Sequence, residues 1–254
     1  MKLHRITLAA ALILAAGTVN GTAFAQSAES VFQGKNVDLL IGFGPGGGND
    51  TWARTVAAHI GKHLPGNPTV IPRNMDGAGG LQVANYLYNA APKTGRVFGL
   101  INRGIPLEPL LGGKGTKFDA QKFVYLGSPD RDTTVCGAMK SASVQTMKDL
   151  FSKELVVGGT GSGADTVIYP EFPNAVLGTK FKVIKGYKGS SAVALAMARG
   201  EVQGACLASD SFERTGVYRE GQVNILFQAA LKPDPKLKDV PSILTEAKST
   251  ADRQ

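Results

Sequence analysis

Val37 to Arg54 reads VDLLIGFGPGGGNDTWAR, and the fold turns on this stretch. Val37 to Phe43 is an apolar run of strand length, dense enough in Val, Leu and Ile to be buried on both faces of a parallel sheet. A glycine loop follows, Gly42-Phe43-Gly44-Pro45-Gly46-Gly47-Gly48, and then a helical pattern from Asn49 or Asp50 to Lys62. Asp50 is suited to be the helix N-cap, and Trp52, Val56 and Ile60 recur at the spacing of an inner face. The loop matches G-x-G-x-x-G in its proper setting, after a strand and before a helix. Three readings fit it: a dinucleotide site, a plain tight turn, or a cradle of backbone N–H groups for an anion. Pro45 is atypical of the first, and no Lys follows to make a P-loop. Backbone donors at a helix N-terminus serve a carboxylate as well as a phosphate, and this third reading fits best.

Outward from this unit the same rhythm repeats. Thr69 to Pro72 predicts a strand, and Asp76-Gly77-Ala78-Gly79-Gly80 opens a helix to about Ala90. Arg96 to Ile101 predicts a third strand. Two strand–loop–helix units in succession place two glycine loops on one edge of a sheet, where open α/β folds bind ligands. Phe123 to Gly127 and Thr134 to Met139 read as strands on either side of Ser128-Pro129-Asp130-Arg131-Asp132, a candidate crossing between domains. A helix over Val144 to Phe151 leads to the strand Leu155 to Gly158 and a third loop, Gly158-Gly159-Thr160-Gly161-Ser162-Gly163. Its hydroxyls can donate to a carboxylate oxygen. A helix from Ala164, the strand Lys180 to Ile184, a helix Ser191 to Arg199 and the strands Gln203 to Ala208 and Val223 to Ala229 complete the pattern. The last strand is expected to return the chain to the first domain.

Composition narrows the function. Of 254 residues, 43% are hydrophobic and 19% charged, a globular balance, and 32 Gly mark heavy use of backbone-shaped loops. Two Cys and three His starve the usual zinc sites of ligands. His59 and His63 are four apart on one helix but lack His-Glu-x-x-His, and a solvated face is the better reading. No G-x-S-x-G surrounds Ser162. Catalysis, metal and cofactor therefore have little to stand on. Cys136 and Cys206 each sit in an apolar strand context that favours two separate buried thiols over a pair.

Lys2 and Arg5, the apolar run Ile6 to Ala16, and Ala23-Phe24-Ala25 before Gln26 make a secretory leader with its cut after Ala25. Without it, 26 basic and 20 acidic side chains leave a net charge of +6. No Lys/Arg run is interleaved with aromatics, which excludes a nucleic-acid surface. A mildly basic exported chain suits small anionic ligands, with Lys188, Arg103 and Arg131 as candidate cations.

The segment Phe43 to Arg54 resembles the F-x-P-G-G-x-x-D-x-x-A-R signature of the substrate-binding proteins of tripartite tricarboxylate transporters, the Bug family. Arg73-Asn74-Met75-Asp76-Gly77-Ala78-Gly79-Gly80 is similar to its second loop, Gly186-Tyr187-Lys188-Gly189 to its P-Y-K-G turn, Gly200-Glu201-Val202 to its G-x-V, and Asp239-Val240-Pro241-Ser242 to its D-V-P-T. The resemblance implies a periplasmic type II binding-protein fold: two α/β lobes of mixed sheets with helices on both faces and a ligand cleft between. The first lobe would hold residues 26–128 and 230–254, the second 129–229. Phe43, Gly46, Gly47, Gly48, Asn49, Asp50, Gly77, Ala78, Gly79 and Gly80 would clamp a small carboxylate, approached from the second lobe by Thr160, Gly161, Ser162, Tyr187 and Gln203. It implies no catalysis, metal or cofactor, a monomer in the periplasm, and integral membrane transporter subunits as partners. A sensor for a two-component kinase and an exported hydrolase are the alternatives. Gln203 stands where the family often has Asp, the Thr160 to Asp165 segment departs from the usual pattern, and the chain stops at Gln254, earlier than the family's usual length.

Overall fold

The computed structural model describes residues 27–110, 112–247 and 249. The expected leader and its cut site lie outside these. Two α/β lobes are present. In the first, a short helix α1 (Ala28–Phe32) precedes β1 (Asn36–Ile41), α2 (Gly48–Ile60), β2 (Thr69–Asn74), α3 (Leu81–Asn89) and β3 (Val97–Leu100). The three strands form a parallel sheet in the order β2-β1-β3. The central strand β1 buries Val37, Leu39 and Ile41 against Ala53 and Ala57 of α2 and Val70 of β2. The inner face of α2 is thus its two alanines, flanked by Val56 and Ile60, while Trp52 stays half-buried. Small residues let the helix lie close to the sheet.

The second lobe holds β4 (Thr134–Met139), β5 (Leu155–Gly159), α4 (Asp165–Leu177), β6 (Phe181–Lys185), α5 (Ser190–Ala198), β7 (Gly204–Ala208), α6 (Ser209–Glu213), α7 (Gly216–Arg219) and β8 (Val223–Ala229). Its sheet runs β6-β5-β7-β4-β8, with β4 antiparallel to both neighbours and β5 parallel to both of its own. Alternate residues feed opposite faces: Cys136 and Cys206 enter one buried cluster with Leu155 and Phe227, Val135 and Leu207 the other with Val193 and Phe212. No helix among the described residues is long and apolar enough to cross a membrane.

Four expectations are corrected. Cys136 and Cys206 face each other across β4 and β7 and form a disulfide, a pairing set by strand register across 70 residues of sequence. Phe123 to Gly127 is not a strand: only Phe123 packs inward, against Phe118 and Tyr88, while Val124, Tyr125 and Leu126 are exposed and no strand pairs with them among the described residues. Val144 to Phe151 gives only a 3-10 turn, Met147–Phe151, opened by a Thr146–Asp149 capping box. The chain after β8 does not leave the second lobe by residue 247. Buried Gln228 donates its backbone N–H to Pro241 O (2.8 Å) and its side-chain amide to Val240 O (2.8 Å) and Leu237 O (3.0 Å), and Ile243 packs on the second lobe's core.

Candidate functional site

The three glycine loops leave the C-terminal ends of β1, β2 and β5 and meet where the lobes touch. In the first, the helix begins earlier than expected. Gly47 is the N-cap of α2 and Asp50 lies in its first turn, reaching back to accept the Gly46 N–H (2.9 Å). Asp50 is buried and also accepts from Arg54 Nε (2.9 and 3.0 Å) and Asn74 Nδ2 (2.7 Å). Burial alone would raise its pKa, but these donors outweigh it and hold the carboxyl below its ordinary value. Asn74 in turn donates to Phe43 O (2.8 Å) and accepts from Arg54 Nη2 (2.8 Å). Asp50 and Asn74 therefore fix the shape of the loop. In the sequence Asn74 stands only as part of the second-loop motif, and its place opposite Ile41 in the β1–β2 register explains why it reaches the first loop.

The second loop packs directly on the first. A Cβ at Gly42 would stand 2.7 Å from the Gly80 Cα, so only glycine allows the two loops to touch. Ala78, Gly79 and Gly80 have φ of 47°, 68° and 98°, a left-handed turn in which the Gly80 N–H is donated back to Gly77 O (3.0 Å). Phe43 is buried, with its ring edge close to Gly80.

The second lobe closes on both. A Cβ at Gly161 would lie 2.2 Å from the carbonyl carbon of Ala78 and 2.4 Å from the Gly79 nitrogen. Gly44 donates its N–H to Lys188 O (2.7 Å), Gly48 donates to Ser190 Oγ (3.1 Å), and Ser191 Oγ donates to Pro45 O (3.2 Å). Lys188 Nζ is 3.6 Å from Asp76. At the side of the crossing, Asn102 Nδ2 donates to Asp165 Oδ1 (2.9 Å), and Arg103 pairs with Asp165 Oδ2 (2.8 Å) while bonding Thr134 Oγ1 (3.1 Å) and Asp132 O (3.2 Å). The lobes are clasped in a closed form. A groove of about 530 Å³ opens beside the contact, lined by Gly46, Gly48, Ser190, Ser191, Ser211 and Arg214.

Of the expected site residues, Gly46, Gly47, Gly48, Ala78, Gly79 and Gly161 stand at this contact, with Phe43, Asp50 and Gly80 directly behind it. Asn49 follows in the first turn of α2, and Gly77 precedes the left-handed turn. Ser162 is exposed in the third loop, and Thr160 is buried with its hydroxyl 3.0 Å from that of Thr166. Two do not join. Tyr187 packs on the second lobe's core, and the backbone of its neighbour Lys188 makes the contact instead. Gln203 sits beside Val156 at the start of β5, where its Oε1 accepts the Val156 N–H (3.2 Å). That is four residues upstream of Thr160, roughly 13 Å along the strand. Among the candidate cations, Arg103 and Lys188 are spent on interlobe pairs, and Arg131 is exposed elsewhere. Asn102, Asp165, Ser190, Ser191 and Ser211 were missed, since nothing local marks a residue as belonging to an interlobe surface. His59 and His63 are exposed near the far end of α2 from the loops.

No family profile and no curated protein matches the sequence. Solved structures do. MatC (Rpa3494) from Rhodopseudomonas palustris, with bound malate, superposes at a TM-score of 0.73 with 23% identity, over 86% of this chain and 74% of its own. Rpa4515 of R. palustris, with adipate, gives 0.67 at 22% identity, over 85% and 72%. The periplasmic binding protein BugD gives 0.67 at 21% identity, over the same shares. The structural neighbours thus include the periplasmic binding protein BugD and a TctC solute-binding protein. The chain has their fold, the two-lobed α/β architecture of the periplasmic binding proteins.

Proposed function

We propose that the chain is an exported solute-binding receptor of the Bug type, which captures a small organic carboxylate between its lobes and hands it to the membrane subunits of a tripartite tricarboxylate-type transporter. The observation that carries this reading is the convergence of the three glycine loops from two lobes on one point. With the lobes apart, the N–H groups of Gly44 and Gly48, now bonded to Lys188 O and Ser190 Oγ across the contact, are freed to receive an anion. Neighbours of the same fold hold malate and adipate, both small dicarboxylates. In the cycle, the open lobes admit the carboxylate to the turn at Ala78–Gly80 and the head of α2. Closure then brings Gly161, Lys188 and Ser190 over it. The reading makes the protein a monomeric periplasmic carrier and not an enzyme, in keeping with neighbours that bind and transport.

A thermal-shift screen against mono-, di- and tricarboxylates tests it. A ligand at a hundred times its Kd stabilises the folded state by about 2.7 kcal/mol, which raises the midpoint by roughly 5–10 °C for a chain of this size. No shift with any carboxylate on a folded sample defeats the reading.

A further inference from the structure

We propose that Glu108 couples closure of the lobes to uptake of a proton: the residue is 2% exposed, its carboxyl is sealed between Gly113 of its own lobe and Gly163 of the opposite lobe, and its Oε1 has no hydrogen-bond partner among the described residues. Glu108 follows the 3-10 turn Ile105–Leu107 of the first lobe. A Cβ at Gly163 would stand 2.9 Å from Ile105 Cδ1 and 3.1 Å from Glu108 Oε2, so the third loop of the second lobe lies directly on this carboxyl. The carboxyl is part of the interlobe surface, and opening the lobes exposes it to water.

A carboxylate with one oxygen buried in such a place without a donor loses hydration there that nothing replaces, a cost larger for the ion than for the neutral acid. The charged groups around it offer little relief. Lys185, at the end of β6, is half-exposed and already paired with Glu171 of α4 at 2.7 Å. Asp165, at the head of α4, is taken by Arg103 and Asn102. Gly113, Gly163 and Ile105 contribute no charge. Burial accordingly raises the Glu108 pKa, and the attraction of Lys185 opposes this without cancelling it. The sign follows by linkage. The closed form binds the proton more tightly than the open form, so closure is favoured below the closed-state pKa and weakens as pH rises through it, by up to tenfold per pH unit.

The proposal rests on the receptor reading only in taking the lobes to open. Small-angle scattering of the ligand-free chain at pH 5 and pH 8, for the wild type, Glu108→Gln and Glu108→Met, tests it without any ligand. The expected result is a smaller radius of gyration at pH 5 than at pH 8 for the wild type, and a compact particle at both pH values for the two neutral variants. Identical wild-type curves at the two pH values, or the same pH dependence in a folded neutral variant, overturn it. A failure of all carboxylates to bind sinks the receptor reading and leaves this result standing.

Discussion

The closed form depends on the absence of one side chain, at Gly161, and Gly161→Ala is the sharpest perturbation available. The backbone there is not left-handed, so alanine costs nothing locally and the fewer conformations of its unfolded chain help slightly. In the closed form the new methyl would stand 2.2 Å from the Ala78 carbonyl carbon, 2.4 Å from the Gly79 nitrogen and 2.5 Å from the Ala78 oxygen. These are backbone atoms with no rotamer to escape into, so the loops must part by about 1 Å to reach ordinary contact. Overpacking of this kind costs about 1–3 kcal/mol, charged here to closure alone, because open lobes leave the methyl in water. Affinity for a trapped carboxylate should fall roughly 5- to 150-fold, while the ligand-free melting midpoint moves by less than a few degrees. Calorimetric titration with malate and adipate, beside scattering of the ligand-bound proteins, measures both. If Gly161→Ala binds and closes like the wild type, the loops do not meet as described and the reasoning fails.

Other outcomes follow from single contacts. Replacing Cys136 and Cys206 together with Ser frees a 70-residue loop in the unfolded chain, and denaturant unfolding should show a loss of about 4 kcal/mol. Asp50→Ala removes a buried acceptor from the Gly46 N–H, Asn74 and the half-exposed Arg54; a loss of about 2–3 kcal/mol in stability, with weakened carboxylate binding, is expected from melting and titration of the same variant. At the crossing, burial and then the hydrogen bond with Asp210 push Asp132 up to about 6. Burial would raise Asp210 too, but the bond from protonated Asp132 and the Arg214 guanidinium hold it low. The folded state keeps a proton on Asp132 that the unfolded chain loses near pH 4, so stability falls as pH rises from about 4 through 6. Asp132→Asn should flatten that part of the stability–pH curve; an unchanged slope rules out this carboxyl as its source.

The parallel βα units were legible because burial on both faces writes itself as apolar runs, as in Val37 to Ile41, and because glycine loops punctuate them. The loops themselves were legible as backbone devices. What stayed hidden depends on register and on surfaces between lobes. Cys136 meets Cys206 because β4 lies antiparallel to β7, which no spacing encodes. Gln203 was expected at the cleft by its motif, yet parallel pairing of β7 with β5 sets it at the end of the sheet away from the third loop. Asp50 carries the right chemistry for an anion site's neighbour, but its partners Arg54 and Asn74 come from one helical turn and an adjacent strand, and they turn it inward. Val124 to Leu126 has the composition of a strand without a ladder to join among the described residues.

The central claim is that the meeting point of the three loops captures a small carboxylate. Calorimetric titration of the folded chain with malate, adipate and a tricarboxylate tests it most directly. The account expects saturable one-to-one binding of at least one of them, lost or strongly weakened in Gly161→Ala. No heat of binding from any of the three, or binding that Gly161→Ala leaves untouched, contradicts it.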